Sequence, residues 1–396
     1  MSVNQLSERI NNLSVSQTLA MAAKARELKS QGIDIISLSL GEPDFNTPDF
    51  IKEAAKQAID DNFSAYPPVD GYEELKKAIC KKFQRDNQLN YEPKNIVVST
   101  GAKQSLYNIA QVMLNDGDEV ILPAPFWVSY AEIISLSGGI PVEVKTSVET
   151  NFKITPEQLR AAITPKTKMM WFSSPCNPSG SVYNKEELTA LVEVLKEFPQ
   201  IYVVSDEIYE HINYANTSFS IGAIDGMIDR TITVNGVAKA FAMTGWRIGY
   251  IGAPEFIAKA CTKLQGQVTS GANSIAQRAT IAALEANPSK IQYMVDAFHK
   301  RRDLVMDLIK DIPGWKVNVP EGAFYAFPDV SEYFGKTIKG KTIQNATDFS
   351  LFLLEFANVA TVTGDAFGSP ECIRLSYATS EDLLIEAFRR IKESLS

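Results

Sequence analysis

The chain has few of the residues from which metal sites and disulfide frameworks are built. Its 396 residues include only two histidines and four cysteines. No two cysteines form a CxxC pair, so neither a structural zinc site nor a disulfide framework is expected; they are Cys80, Cys176, Cys261 and Cys372. The histidines, His211 and His299, lie far apart and leave little room for a histidine-based metal site or a Ser-His-Asp triad. The chemistry is therefore sought among Lys, Arg, Asp, Tyr and Asn, without a metal.

The chain also lacks a basic excess and a long apolar run. It has 39 Lys and Arg against 47 Asp and Glu, a net charge of −8, which disfavours a nucleic-acid or anionic-membrane partner. No apolar run approaches the roughly 18–20 residues of a membrane span, and the first residues lack the apolar segment of a secretory signal. We therefore expect a cytoplasmic protein without nucleic-acid or membrane partners, long enough for about two domains.

Short β-branched runs alternate with helical stretches from about residue 95 onwards. The runs predict strands at 95–99, 118–122, 168–172, 201–205, 231–234 and 247–251. A helix is predicted after Gly101, and another is capped by Asn184. Strands that alternate with helices indicate an α/β protein, with a mostly parallel sheet covered on both faces.

The two ends of the chain have a different pattern. A helical stretch after Asn273 reaches about residue 312, and the runs at 315–319, 323–327, 359–363 and 372–377 predict further strands. This pattern is typical of a smaller α+β domain. We predict a large domain at 49–290 and a small domain at 291–396, with residues 1–48 as an N-terminal arm that completes the small domain.

In an open parallel sheet, ligands bind beyond the carboxyl ends of the strands. Lys239 follows one strand among apolar neighbours; it is either a solvated surface residue or a desolvated amine able to form an imine with an aldehyde. Asp206 follows another; it is either a structural carboxylate or the anion that keeps the ring nitrogen of pyridoxal phosphate protonated. Tyr209 either faces the same cofactor or packs in the core.

Two further features concern anions. The helix that opens at Gly101 and Ala102 directly follows a strand, so its free N–H groups can hold a phosphate. No Walker motif and no GxGxxG occurs, which disfavours purine-nucleotide and dinucleotide sites. Arg247 can either bind the same phosphate with two hydrogen bonds or form an ion pair at a strand edge. Arg374, between Ile and Leu, can face solvent or bind a carboxylate.

At these residues the chain resembles the class I aminotransferases, in the aspartate aminotransferase family with the fold-type-I pyridoxal-phosphate architecture. The matching segments follow family order over nearly the whole length, at 39–45, 66–71, 100–103, 125–127, 174–180, 205–209, 239–247 and 374–377. The segment KAFAMTGWR at 239–247 is the most specific. The chain is most similar to the bacterial branch that includes aspartate/prephenate aminotransferases.

The resemblance implies how pyridoxal 5′-phosphate is bound and used. Lys239 forms the imine and then moves a proton between the substrate α-carbon and the cofactor. Asp206 pairs with the pyridine nitrogen. Tyr209 and Asn177 contact the 3′-oxygen, and Trp127 stacks on the ring.

The resemblance also implies the contacts of the phosphate group. The backbone at Gly101, Ala102 and Lys103 holds the phosphate together with Arg247. Tyr66 matches a residue that, in the family, reaches the phosphate of the partner subunit. A homodimer with shared active sites is therefore implied.

The substrate is implied by the same comparison. Arg374 takes the α-carboxylate, with Asn177, Trp127 and the backbone of Gly41, while Lys103 faces the distal carboxylate of aspartate or glutamate. The implied reaction transfers the amino group of L-aspartate or L-glutamate to 2-oxoglutarate or oxaloacetate through a ping-pong cycle. A broader specificity for aromatic amino acids or prephenate, and a C–S lyase reaction, remain alternatives.

Some positions bear on these alternatives. Ser16 and Thr18 match polar residues near the distal carboxylate in this branch. Ser14 stands where members that transaminate prephenate have a lysine, which argues against prephenate. Ala238 and Gly236 stand where relatives have serine, so slightly different phosphate contacts are expected.

Overall fold

The computed structural model describes residues 6–15, 17–215 and 219–396. Its largest sheet has seven strands, named here β1 to β7 in chain order. Their ranges are Ile96–Ser99, Glu119–Ala124, Ile140–Lys145, Thr167–Ser173, Tyr202–Asp206, Thr231–Gly236 and Gly249–Gly252. Their spatial order is β1-β7-β6-β5-β4-β2-β3. Only β7 runs antiparallel to its neighbours, so the predicted α/β class with a mostly parallel sheet is confirmed.

The large sheet is buried on both faces, because successive strand residues pack into different clusters. In β4, Met169 and Trp171 belong to one apolar cluster, while Met170 and Phe172 belong to another. Side chains alternate across a strand, so the two clusters occupy opposite faces. This explains why these strands are continuous apolar runs in the sequence.

Helices connect and cover the strands. Among the described residues the α-helices are Glu8–Asn11, Gln17–Ser30, Asp49–Asp60, Glu73–Asn87, Ala102–Met113, Ser129–Leu136, Pro156–Ala162, Lys185–Lys196, Glu255–Val268, Ser274–Glu285, Gln292–Lys310, Ala346–Phe352 and Glu381–Ser394. None of them is both long and apolar enough to cross a lipid bilayer.

The cap predicted at Asn184 is present. Its side chain accepts the backbone N–H of Glu187 at 2.8 Å, and the Glu187 carboxylate accepts the Asn184 N–H at 2.9 Å. This reciprocal pair satisfies two N–H groups that the first turn leaves free. The predicted inward face of the helix is buried; it comprises Leu188, Leu191, Val192 and Leu195.

The remaining strands are short and lie toward the chain ends. Three of them form an antiparallel sheet: Val362–Thr363, Ile373–Ser376 and Tyr325–Ala326. Residues Ile36–Ser37 pair in parallel with Val359–Ala360, so the N-terminal segment is joined to the C-terminal one. This pairing supports a small domain built from both ends, while the boundaries at residues 48 and 290 stay predictions.

The structure differs from the predicted elements in several places. Residues 315–319 form no strand and contribute one isolated bridge, between Lys316 and Asp329. The helical stretch after Asn273 is interrupted at Asn287-Pro288, because proline has no backbone N–H to continue the hydrogen bonding. The run 359–363 divides into two strands of different sheets, Val359–Ala360 and Val362–Thr363. Strand β3 was not predicted, because it is an edge strand with polar residues in alternation.

A close approach between β7 and a helix start shapes the edge of the sheet where the strands end. A Cβ on Gly249 would lie 2.1 Å from the backbone nitrogen of Ala102. Gly249 pairs with Ser99 on one side and Gly236 on the other, which are the last residues of β1 and β6. The lack of a side chain at Gly249 therefore allows the helix at Ala102 to begin directly against the sheet.

We expect Gly249→Ala to destabilise the protein by about 1–3 kcal/mol, because the added methyl group overlaps backbone atoms that cannot rotate away. Thermal unfolding of both proteins at equal concentration checks this. Gly245→Ala is the matched control, since a Cβ there meets no atom within 4 Å. Equal losses in the two variants would contradict the explanation.

Candidate active site

A cavity of about 380 Å³ opens at the carboxyl ends of the strands. It is lined by all the residues to which the resemblance assigns a catalytic, cofactor-binding or substrate-binding role, except Tyr66: Gly41, Gly101, Ala102, Lys103, Trp127, Asn177, Asp206, Tyr209, Lys239, Arg247 and Arg374. These residues come from seven separate stretches of the chain. The fold therefore gathers them into one site. Tyr66 lies outside the cavity and is 95% exposed.

Lys239 presents its amine to the centre of this cavity. Its Nζ donates to the carbonyl oxygen of Gly41 at 2.7 Å and lies 5.7 Å from the ring centroid of Tyr209. Burial lowers the pKa of Lys239 to about 8, although the charge of Glu42 acts in the opposite direction. An amine with this pKa is partly unprotonated near neutral pH, which is the form that attacks an aldehyde.

Asp206 is the last residue of β5 and is buried. Its Oδ2 accepts the Tyr130 hydroxyl at 2.7 Å, and its Oδ1 accepts the backbone N–H of Ile208 at 3.2 Å. Burial raises the pKa of Asp206 to about 6, and the two hydrogen bonds limit that rise. A carboxylate fixed in this way can hold a cationic group that enters the cavity.

A buried polar network supports the turn that follows Asp206. Glu207 accepts hydrogen bonds from Ser205 at 2.9 Å, from Ser220 at 2.6 Å and from the Asn87 amide at 2.9 Å. Burial, with the nearby charge of Glu210, raises the pKa of Glu207 to about 7. These hydrogen bonds fix the backbone between Asp206 and Tyr209, which both line the cavity.

The same network contains a charge pair. Lys82 is buried and forms an ion pair with Glu210. Burial would raise the pKa of Glu210, but the charge of Lys82 outweighs it and holds that pKa at about 2. Asp86 and His211 lie close enough to Glu210 to share a cation, but Lys82 already places a positive charge there.

Tyr209 faces the cavity and has one phenol partner. Its hydroxyl and that of Tyr325 are 2.7 Å apart, and either can be the donor. Both rings are buried, and burial raises the pKa of both phenols. Both hydroxyls therefore stay protonated at neutral pH and act through hydrogen bonds.

Arg374 lies in the strand Ile373–Ser376 and is fully buried at the wall of the cavity. Its Nη1 donates to Asn177 Oδ1 at 2.9 Å, and its Nη2 donates to the carbonyl oxygen of Ser39 at 2.8 Å. Its Nε has no hydrogen-bond partner among the described residues. Each Nη carries a second N–H beyond these two bonds, and a buried guanidinium at a cavity wall is suited to a carboxylate.

The helix that begins at Ala102 presents its N-terminus to the cavity, and no side chain caps it. Gly101 has φ +84°, and a Cβ there would lie 2.5 Å from Nη2 of Arg247. Arg247 donates to the carbonyl oxygen of Thr244 at 3.0 Å. The guanidinium, the helix dipole and the free N–H groups therefore meet where an anion can bind.

Lys103 and Thr18 line another wall. The Nζ of Lys103 lies 4.9 Å from the ring of Trp127, and burial with the charge of Arg247 lowers the pKa of Lys103. The Thr18 hydroxyl is buried without a hydrogen-bond partner in the described part of the chain. Ser16 lies outside the described residues. Ser14 is exposed, and its backbone N–H donates to Glu132 at 3.1 Å.

Sequence reasoning assigned no role to three residues that shape this site. Glu207 stands beside Asp206 in the sequence, and only its burial reveals its part in the network. Tyr130 lies in the helix after β2, and its ring packs edge-on against that of Trp127, with centroids 5.6 Å apart. Tyr325 lies in a predicted strand, and no local signal shows that it reaches Tyr209.

Comparison with known proteins gives one consistent result. The family model described as aminotransferase class I and II matches residues 33–391. The chain is 48% identical to an aspartate/prephenate aminotransferase of Cereibacter sphaeroides and 46% identical to an aspartate aminotransferase of Bacillus sp. strain YM-2. Each match covers 98% of both chains.

Solved structures agree with the sequence comparison. An aspartate aminotransferase from Rhizobium meliloti superposes with a TM-score of 0.96 at 44% identity, over 99% of both chains. One from Thermus thermophilus with maleate gives a TM-score of 0.93 at 42% identity, over 99% of this chain and 100% of that one.

The buried amine of Lys239 predicts a pH-dependent stability. Below pH 8 the amine is charged although it is removed from water, which lowers the stability of the folded protein. In the absence of any bound aldehyde, Lys239→Met should therefore unfold at a higher temperature than the unsubstituted protein. Between pH 8 and 10.5 the unfolded chain binds more protons than the folded one. The unsubstituted protein therefore gains stability with rising pH, and the advantage of the variant shrinks.

Thermal unfolding at pH 7 and pH 10 measures this difference. Lys310→Met is the control, because that lysine is exposed and its pKa is raised by its bond to Asp307. It should give no gain at pH 7. A constant advantage of Lys239→Met at both pH values would contradict the prediction.

Proposed function

The chain belongs to the aminotransferase class I and II family, and we propose that it transfers the amino group of L-aspartate or L-glutamate to 2-oxoglutarate or oxaloacetate. The proposed cofactor is pyridoxal 5′-phosphate, and the two half-reactions follow each other in a ping-pong cycle. The observation that carries the proposal is the shared cavity of Lys239, Asp206 and Arg374. An amine, a fixed anion and a carboxylate-binding guanidinium are what this chemistry requires.

The residues of the cavity fit the cofactor. The Lys239 amine can bond to an aldehyde, and the buried carboxylate of Asp206 can pair with a protonated pyridine. The uncapped helix at Ala102, together with Arg247, can bind a phosphate. The cofactor, when bound, supplies an aldehyde and an electron-withdrawing ring that stabilises negative charge on the α-carbon. No metal is part of the proposal.

Asp206 and Tyr209 would contact the polar atoms of the cofactor ring and influence its charge. A cationic pyridine nitrogen paired with Asp206 favours the charged carboxylate, and the bond from Tyr130 fixes its orientation. In our proposal the Tyr209 hydroxyl donates to the 3′-oxygen, and Asn177 contacts the same oxygen. Trp127, which lines the cavity, would cover one face of the ring.

Lys239 would move the proton. Once its Nζ is free, its low pKa leaves the amine able to accept a proton from the substrate α-carbon. Its bond to the Gly41 carbonyl shows one position that Nζ takes when it is not engaged elsewhere. A base held beside the atom that it deprotonates gains from proximity.

Two cationic side chains would bind the two carboxylates of the substrate. The guanidinium of Arg374, with one further N–H on each Nη, would bind the α-carboxylate, with Asn177 and the Gly41 backbone beside it. Lys103 and the unpartnered hydroxyl of Thr18 line the cavity where a distal carboxylate would lie. An amino acid with one carboxylate would leave these groups unpaired and react more slowly.

We propose a homodimer in which Tyr66 of each subunit reaches the phosphate site of the other. Tyr66 is 95% exposed in the single chain and lies outside its own cavity. A tyrosine so exposed is available to a second copy of the chain.

Prephenate is a second candidate amino acceptor. Several relatives are named aspartate/prephenate aminotransferases, including one from Nitrosomonas europaea at 46% identity. Ser14 provides no cation for a second carboxylate, and its backbone N–H is engaged by Glu132. We therefore favour aspartate and glutamate over prephenate.

Borohydride reduction of the purified protein loaded with pyridoxal phosphate should fix the cofactor irreversibly to Lys239. Peptide mass mapping locates the adduct, and Lys239→Ala should lose both the adduct and transamination. Lys103→Ala is the matched control, because it removes the other lysine of the cavity and should leave the adduct in place. An adduct at another lysine would contradict the proposal.

Lys103→Ala should lower kcat/KM for aspartate and glutamate by roughly 10- to 100-fold relative to alanine, since only these substrates lose a bond between charged groups. Lys185→Ala is the control; that lysine contacts the ring of Phe219 in a similar way but lies outside the cavity. An unchanged ratio would remove Lys103 from the proposed specificity site.

Pyruvate release without a keto-acid acceptor would indicate a lyase instead.

A further inference from the structure

Tyr325 lies between the part of the cavity that contains Arg374 and the part that contains Tyr209. It belongs to the small antiparallel sheet, where it pairs with Ser376 beside the strand position of Arg374. Its hydroxyl lies 2.7 Å from the hydroxyl of Tyr209, which follows β5 of the large sheet. Its side chain therefore spans from the small sheet to the end of the large one.

The ring of Tyr325 also supports the guanidinium of Arg374. The Cζ of Arg374 lies 4.6 Å from the centroid of this ring and 5.0 Å from that of Phe367. Both Arg374 and Tyr325 are fully buried, so this contact between a cation and an aromatic face is strong. The ring limits the positions that the guanidinium can take.

The backbone at Gly41 fixes the other side of Tyr325. A Cβ on Gly41 would lie 2.7 Å from the Tyr325 hydroxyl oxygen. The same residue offers its carbonyl oxygen to Lys239. The phenol of Tyr325 is therefore confined between Gly41 and Tyr209, with little freedom to turn away.

We propose that Tyr325 is a positioning residue that couples the carboxylate-binding arginine to the phenol of Tyr209. Its hydroxyl donates to the Tyr209 oxygen, so that Tyr209 donates its own proton to the cofactor's 3′-oxygen. Its ring holds Arg374 in the orientation that meets the substrate carboxylate. This proposal rests on the proposed function, because it gives Tyr209 a cofactor oxygen as acceptor.

The direction of the hydrogen bonds follows from the number of protons. A deprotonated ring oxygen only accepts, so Tyr209 must use its single proton there. The bond between the two phenols then requires the proton of Tyr325. A donor that itself accepts a hydrogen bond is polarised and donates more strongly. Tyr325 should therefore stabilise the deprotonated ring oxygen through Tyr209.

A pH titration of the visible absorption of the loaded protein, without amino acid, tests the hydroxyl. Tyr325→Phe keeps the ring and removes the donor, so the spectral transition should move to higher pH by about 0.3 to 1 unit. In a Tyr209→Phe background the same change should cause no further shift, because the Tyr209 hydroxyl that links Tyr325 to the ring oxygen is already absent. Tyr377→Phe changes a buried tyrosine directly after the strand Ile373–Ser376, outside the cavity, and should leave the transition unchanged.

Binding of maleate, a dicarboxylate without an amino group, tests the ring. Tyr325→Leu removes the aromatic face under Arg374 and should weaken maleate binding about tenfold, whereas Tyr325→Phe should change it less than about threefold. Thermal unfolding of each variant shows whether it is folded. The Phe variant keeps the spectral test decisive if the Leu variant fails to fold.

The outcomes separate this proposal from the one on which it rests. A transition of Tyr325→Phe that coincides with that of the unsubstituted protein would overturn the role of Tyr325, and so would an equal shift with or without Tyr209. A visible band in the unsubstituted protein would leave the proposed function intact in both cases. If the unsubstituted protein showed no band after addition of pyridoxal phosphate, both proposals would be wrong.

Discussion

The removal of charged side chains from water, each held by fixed partners, is the constraint on which this site depends. Asp206, Lys239 and Arg374 all face one cavity at the carboxyl ends of the strands. Desolvation raises the pKa of the first and lowers that of the other two. Hydrogen bonds to neighbouring hydroxyl, amide and carbonyl groups keep the cost tolerable and fix the geometry. The same burial that costs folding stability leaves the amine reactive.

The supporting structure has two origins that meet in the cavity. The large sheet supplies Asp206 through β5, with the network around Glu207 beneath it. The segment before residue 45 contributes the Ser39 carbonyl to Arg374 and the Gly41 carbonyl to Lys239. Since Ile36–Ser37 pairs with Val359–Ala360, that segment is held by the C-terminal part of the chain. A movement between the two parts would therefore alter the bond from Lys239 to Gly41 and the bond from Arg374 to Asn177, while Arg374 would move together with Ser39.

Much of the fold and many of the site residues could be predicted, because their signals are local. Apolar runs marked six strands of the large sheet, and Asn184 marked a helix start. The edge strand β3 was missed because its polar residues hide the apolar pattern. Glu207 and Tyr325 were missed because their partners, Ser220 and Tyr209, lie elsewhere in the chain. Interactions of that kind leave no trace in the neighbouring sequence.

The sequence by itself determined the fold class, the family resemblance and the residue types available for chemistry, because these depend on periodicity, composition and motif order. The segment from Lys239 to Arg247 was recognisable without any coordinates. Only the tertiary structure decided that Lys239 meets Gly41, that Arg374 bonds Asn177 and Ser39, and that Tyr325 reaches Tyr209. The physical reason is that these contacts join residues far apart in the chain, and only packing of the sheets against each other brings them within hydrogen-bond distance.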